Sequence, residues 1–320
     1  MAKHMPHIPQ LANLVVEDTT PEVLNGHDVI ILALPHGASG KLASQLDPNA
    51  VVVDLGADHR LEEQAAWMSS TAAISMSIGP TACPSSSPAK LRTAPTPASV
   101  RRFLAPSASQ VLAATSPPPR WPSSPASPKD WLNRRISWPI CRRILGCRQE
   151  SQAHQPACRR GPAIRPAVFG GGKHRHIPEI LQNFAHAAGK SAAEASEFTL
   201  GFTPILAPMS RGILATVSAR MTDKAKALSD EEIRAVWSKA YEGQDFMVLL
   251  PEGTLPATGN IIGSNAAHLQ VVTDRKAGRI YAFAAIDNLN RGTAGQAVQS
   301  LNIALGLPED AGLTKIGVAP

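Results

Sequence analysis

Residues 68–169 interrupt an otherwise regularly patterned chain. This stretch holds sixteen of the 28 prolines and all four cysteines (Cys83, Cys141, Cys147 and Cys158). Its fourteen Lys and Arg face only two acids, Asp130 and Glu150, while the rest of the chain carries seventeen Lys and Arg against twenty-three acids. The net charge of +6 is therefore +12 from the segment and −6 from everything else. A basic chain would ordinarily suggest a polyanionic partner, but here the positive charge is confined to the anomalous part. Neither a two-residue nor a 3.6-residue period runs through it. Pro117-Pro118-Pro119 and the Ser/Pro clusters oppose a core strand or a long helix, so the segment is expected to lack order. Three accounts remain open at this point: a disordered basic linker, an Arg/Ser-rich tail that binds RNA without catalysis, or a stretch read out of frame.

On either side the patterning is that of a two-domain enzyme, which 320 residues can accommodate. Asp28 to Leu34 is a nearly continuous apolar run, as in a parallel sheet buried on both faces. Pro35-His36-Gly37 breaks it, Ser39 to Leu46 can form a helix, and Val51-Val52-Val53-Asp54 a second strand. This β-α-β unit is the piece from which nucleotide-binding sheets are assembled. After residue 170, Ile177 to His186 is amphipathic. Phe198 to Phe202, Gly212 to Arg220 and Met247 to Leu250 read as strands. Ser229-Asp-Glu-Glu232 is a capping box opening a helix to about Tyr241. Val271-Val272 and Ile280 to Ala285 pair around a turn at 274–278, and Thr293 to Leu305 is a last helix. Mixed strands and helices without strict alternation indicate an α+β domain. The expected fold is α/β: an incomplete Rossmann-like nucleotide domain followed by an α+β domain. No C-x-x-C pair occurs, so neither a metal site nor a disulfide framework is expected. No charged-then-apolar leader and no run of 18 apolar residues is present, and the expected compartment is the cytoplasm.

Six strings outside the segment carry chemistry in a fixed order. They are Ala33-Leu-Pro-His-Gly37, Asp54-Leu-Gly-Ala-Asp-His-Arg60, Gly172-Lys-His-Arg-His-Ile-Pro-Glu179, Pro208-Met-Ser-Arg-Gly-Ile-Leu-Ala-Thr216, Gly263-Ser-Asn-Ala-Ala-His268 and Ala285-Ile-Asp-Asn-Leu-Asn-Arg-Gly-Thr-Ala-Gly295. Together, over 1–67 and 170–320, they resemble the N-acetyl-gamma-glutamyl-phosphate reductase family of arginine biosynthesis. The resemblance implies NADP-dependent reduction of N-acetyl-glutamyl 5-phosphate to the semialdehyde through a cysteine thioester. It also implies a small-molecule substrate, homo-oligomers, and no nucleic-acid or membrane partner. Under it the domains become 1–67 (remnant nucleotide domain), 68–169 (out of frame), 170–285 (substrate and dimerisation domain) and 286–320 (a helix returning to the nucleotide domain).

The family's middle third should contain a P-G-C-N-V-T-like string around a nucleophilic cysteine, and none occurs. Back-translation one base off restores it: Gln110 to Pro118 can encode G-P-G-C-N-V-T-A, with the cysteine codon straddling Ala113 and Ala114. The same offset turns Trp67 to Ala73 into D-E-F-Y-G-G, and a further shift covers Ile144 to Pro162 before the register closes by Gly170. The family's glycine-rich first turn is also missing, since the first glycine is Gly26. The chain as written is therefore expected to be late-starting and inactive, although its family is an enzyme. A related semialdehyde dehydrogenase remains the enzymatic alternative, and a basic nucleic-acid-binding protein the non-catalytic one.

The resemblance assigns roles residue by residue. His174 should manage the proton of the thiol chemistry, and Glu179, five residues on, should orient it. Ser210 and Arg211 should bind substrate, because a guanidinium fork suits phosphate or carboxylate, with Arg175 and His176 as weaker candidates. Leu34, Pro35 and His36 at a strand's carboxyl end should line the cofactor. So should Asn288, Gly292, Thr293 and Gly295 at a helix start, with Asn288 on the nicotinamide amide.

Overall fold

The computed structural model describes residues 5–35, 37–56, 58, 59, 61, 62, 132–143 (backbone), 172, 174, 176–207 and 209–318. They divide into two compact units, one ending at His59 and the other beginning at Leu61.

In the first unit, β1 (Val29–Leu32) and β2 (Val51–Asp54) are parallel, with Val29 opposite Val51 and Leu32 opposite Asp54. Ile30 and Leu32 point inward against Leu46 and Ala50. The connection is the helix Ala38–Ala43, three residues shorter at its carboxyl end than the apolar pattern suggested. It starts at Gly37, whose φ of +83° is the left-handed backbone that glycine adopts without strain. The β-α-β reading of the sequence thus has its structural counterpart.

The second unit is built on a seven-stranded sheet. Its order is β4 (Thr199–Gly201), β3 (Leu132–Arg143), β6 (Ile213–Met221), β9 (Arg279–Ile286), β8 (Ala267–Asp274) and β7 (Met247–Leu249), with β5 (Pro204–Leu206) also on β3. The inner face is made by alternate residues: Ile213, Ala215 and Val217 from β6, Ala282 and Ala284 from β9, Leu269 and Val271 from β8. Two helices supply the rest of that core. Helix Ile177–Ala187 contributes Ile180 and Phe184, and helix Asp230–Tyr241 contributes Ile233, Trp237 and Tyr241. The second of these opens with the expected capping box, Ser229 and Glu232 each reaching the other's backbone.

One expectation is corrected here. The interval 68–169 is not without order throughout, because Leu132–Arg143 forms β3 in the interior of the sheet, antiparallel to β6 and parallel to β4 and β5. Proline lacks a ladder N–H, but Pro139 falls where the β3–β6 register shifts between Ser137 and Ile140, and such an irregularity tolerates it. The other readings within that interval, including the cysteine codon at Ala113/Ala114, lie outside the described residues. The helix Gly295–Ala304 is grouped with the unit that holds the sheet. Asn265 Nδ2 donates to Gln299 on that helix at 3.2 Å, and Asn302 Nδ2 donates to the Ala311 carbonyl at 2.9 Å.

Candidate active site

In the second unit two clusters gather most of the expected residues. The first sits at the start of helix Ile177–Ala187. Pro178 presets the first turn, and the N-terminal end carries Glu179 as its acid. His174, His176 and Glu179 are all buried. The imidazoles of His174 and His176 stack with centroids 5.0 Å apart, and the Phe202 ring meets His174 edge-on at 4.8 Å. The backbone N–H of His176 donates to His174 Nδ1 at 3.2 Å. An acceptor Nδ1 leaves Nε2 as the protonated nitrogen of neutral His174. Glu179 Oε2 engages Nδ1 of His176, the partner of His174 in the stack, at 3.2 Å. Gln182, one turn on, accepts from the backbone of Glu62 at 3.0 Å, and Glu62 meets His186 at 3.3 Å.

The second cluster is organised by Asp287, fully buried at the end of β9 and absent from the sequence-derived assignments. Arg211, just before β6, presents Nε and Nη2 to its carboxylate, at 3.0 Å for Nε and 2.5 Å for Nη2. The same carboxylate accepts backbone N–H bonds from Gly263 at 2.6 Å, Leu289 at 3.0 Å and Asn290 at 3.3 Å. The fork expected to meet substrate is therefore committed in part to Asp287, because an unpaired buried carboxylate is far costlier than a partly exposed guanidinium. Asn288 is likewise held: its Oδ1 accepts from the Gly212 backbone at 2.6 Å, and its carbonyl accepts from Thr293 Oγ1 at 2.9 Å. Gly212 lies at φ +109°, and an added Cβ would stand 3.0 Å from Thr258.

The turn after Asn288 is a single π turn, Asn290–Ala294, and the helix proper starts at Gly295. Such turns recur at functional positions. Gly292 donates to the Asp287 carbonyl at 3.1 Å. Gly295 is there for space: a Cβ would collide with Asn265 Oδ1 and come within 2.7 Å of Asn290 Oδ1. Arg291 is buried, donates to the Asn265 carbonyl at 2.7 Å and lies over the Phe246 ring. Burial pulls its guanidinium down to about 10, and it stays charged at neutral pH. Ser210 is exposed, and Arg175 lies outside the described residues.

In the first unit Leu34 is half-buried and Pro35 exposed at the carboxyl end of β1, while His36 lies outside the described residues. The Asp54–Arg60 string shows its structural purpose. Asp58 accepts from the backbones of Gly37 at 2.8 Å and Gly40 at 2.9 Å, and so occupies the start of helix Ala38–Ala43. Asp54 accepts from Gly56 at 2.7 Å and pairs with His59 at 2.8 Å. Asp287, Asp58 and Phe202 were missed as organisers. A lone acid closing the apolar run Ala284-Ala285-Ile286 was the available signal for the first.

Comparison with known proteins gives these clusters a family. Residues 1–78 match the semialdehyde dehydrogenase NAD binding domain, and residues 148–288 match the semialdehyde dehydrogenase dimerisation domain. Residues 79–147 lie between the two matches. The chain is 69% identical to an N-acetyl-gamma-glutamyl-phosphate reductase of Bifidobacterium longum, over all of this chain and 88% of that protein. That alignment runs over 356 residues against the chain's 320, so it opens gaps. Reductases of the same name from Streptomyces coelicolor and Micrococcus luteus are 42% and 41% identical, each over 98% of this chain and 86% of theirs. Aspartate semialdehyde dehydrogenase II of Vibrio cholerae shares the fold, with a TM-score of 0.50 at 12% identity over 87% of this chain and 79% of that one. With its motifs placed and these relatives at hand, the chain belongs to the N-acetyl-gamma-glutamyl-phosphate reductase family, of the semialdehyde dehydrogenase type.

Proposed function

We propose that the site serves NADP-dependent reduction of N-acetyl-glutamyl 5-phosphate to N-acetyl-glutamate 5-semialdehyde and phosphate. The observation that carries this is the buried His174–His176–Glu179 stack, in which His174 Nδ1 accepts from the His176 N–H and Nε2 is left to donate. A thiolate attacks the acyl carbon, the C–O bond to phosphate breaks, and a thioester forms. When bound, NADPH supplies the hydride that reduces this carbonyl, and the C–S bond then breaks to release aldehyde and thiolate. His174 donates its Nε2 proton toward the oxygen on which charge develops. His176, tied to Glu179, holds the His174 ring in place by stacking. Arg211, anchored by Asp287, turns its remaining edge toward the anionic ends of the substrate.

Taken separately, residues of each unit suit groups of a dinucleotide. In the first, apolar Leu34 and Pro35 at a strand terminus suit a ring face. In the second, the wide turn from Asn288 to Gly295 suits an amide. The start of helix Ala38–Ala43 does not suit the pyrophosphate, because Asp58 already occupies it with negative charge.

The nucleophile is the in-frame cysteine whose codon straddles Ala113 and Ala114, and the chain as written lacks it. The gap between the two family matches supports this reading. Self-association is supported by the dimerisation-domain match, and the sheet face carrying Tyr281 and Phe283 is the surface assigned to it in this reading. The test compares the chain as written with a version carrying both the restored frame over 68–169 and the family's glycine-rich first turn. The readout is NADP reduction from the semialdehyde and phosphate. The restored protein should turn over, the written one should not, and His174→Gln in the restored protein should lower kcat by about 100- to 10,000-fold. Turnover by the written chain would refute the frame reading. A folded, inactive restored protein would refute the reaction.

A further inference from the structure

A cleft of about 540 Å³ opens where β6 ends beside the turn joining β8 to β9. Arg220, Lys226, Arg275, Lys276 and Arg279 line it together with Met221, Ala277 and Gly278, and no acid does. Outside 68–169 the chain is net negative, so five cations around one opening depart from its surroundings.

The five are not equivalent. Asp223 answers Lys226 at 2.8 Å, and Asp230 answers Arg275, accepting from its Nε at 2.7 Å. Arg275 is also fixed by the carbonyls of Leu228 at 2.6 Å and Lys226 at 3.2 Å. Arg279 is braced on Ser218 Oγ, at 2.7 Å from Nη2. Arg220 and Lys276 are exposed and have no ion-pair partner among the described residues. Arg220 lies directly opposite Arg279 across the β6–β9 ladder, and Asp274 lies opposite Arg279 on the β8 side. Like charges in that position destabilise a sheet. An anion lodged between Arg220 and Arg279 would offset whatever repulsion Asp274 leaves between them.

We propose that this cleft binds a small anion bearing two phosphate groups, with Arg220, Lys276 and Arg279 as its ligands. Guanidinium forks pair bidentately with phosphate oxygens, and the ammonium of Lys276 adds a movable point charge. The cleft exceeds the volume of one phosphate, and three cations facing one opening suit more than a single charge. The Arg211 and His174 clusters share no residue with it.

The test is calorimetric titration of the full chain with inorganic pyrophosphate, orthophosphate and ADP at matched ionic strength. Pyrophosphate should bind more tightly than orthophosphate. Equal affinity of ADP and pyrophosphate would identify the diphosphate itself as the recognised group, and tighter ADP a nucleotide. The Arg220→Ala/Lys276→Ala double variant should bind pyrophosphate at least tenfold more weakly. Arg220→Glu should abolish binding yet raise Tm, because the cross-strand pair becomes attractive, so loss of binding there does not reflect loss of fold. Unchanged affinity in the double variant overturns the proposal. So does heat that sulfate reproduces at the same ionic strength, or binding confined to long nucleic acid.

Discussion

Asp287 concentrates five hydrogen bonds on one carboxylate: two from Arg211 and one each from the backbones of Gly263, Leu289 and Asn290. Replacing it by alanine strands the guanidinium and three N–H groups, so Asp287→Ala should cost about 3–5 kcal/mol. Urea unfolding measures this, and a midpoint within error of the parent would remove Asp287 from its central position. The Asp54–His59 pair makes a pH-dependent prediction. The hydrogen bond that His59 donates to Asp54 holds the imidazole above its usual 6.5, outweighing burial. Burial would raise Asp54, but the bonds from His59, Gly56 and Ser39 leave it below its usual 3.8. Protonated His59 therefore stabilises the first unit fully below about 6.5, and that contribution fades as pH rises through its raised value. The Asp54 contribution is present above about 3.8 and is lost only as pH falls through its lowered value. Amide exchange in Val29–Leu32 should thus speed up between pH 6 and 8 beyond its intrinsic pH dependence. His59→Asn should abolish that excess, and an equal excess in the variant would exclude the pair as its source. At this scale motif chemistry was legible and pairing was not: the string around Glu179 named an acid but not its partner, His176.

Among elements, those with their own periodicity or caps were legible. The helix Asp230–Tyr241 was bounded by its capping box, and β2 by its four residues. β3 was not, because its proline is tolerated only by a register shift set by the neighbouring strand. The short β5 gives too few residues for a pattern. The carboxyl-terminal stretch 313–318 is an element of another kind, without regular structure of its own. It lies along the loop that carries Gly263: Asn265 N–H donates to the Thr314 carbonyl and Val318 N–H to the Ile262 carbonyl, each at 2.8 Å. Gly317 allows this closeness, since a Cβ would stand 2.5 Å from the Asn260 carbonyl. Gly317→Val should loosen the clasp, raising amide exchange at Asn265 and Val318 by at least about tenfold, near 1.4 kcal/mol of local opening. Unchanged protection at both amides would show that the tail is passive.

The seven-stranded sheet, the largest assembly among the described residues, presents one face to the core helices and the other away from them. On the outer face the Tyr281 and Phe283 rings stack at 6.4 Å, with Thr216 opposite Phe283 and Val272 opposite Tyr281. If this face joins two copies, Phe283→Glu should shift sedimentation from oligomer to monomer, because a carboxylate buried against an apolar partner goes unpaired. An unshifted oligomer would place the interface elsewhere. No helix among the described residues is long and apolar enough to cross a membrane. The sequence by itself determined the β-α-β unit, the α+β character of the chain beyond residue 170, the ordered motifs and thereby the family, because periodicity, caps and short strings are local properties. Only the tertiary structure decided that Arg211 meets Asp287, that Gly212 meets Asn288, and that Asp58 closes a helix start. The first two join residues 76 positions apart, and the register of β6 on β9, not any local preference, sets those distances.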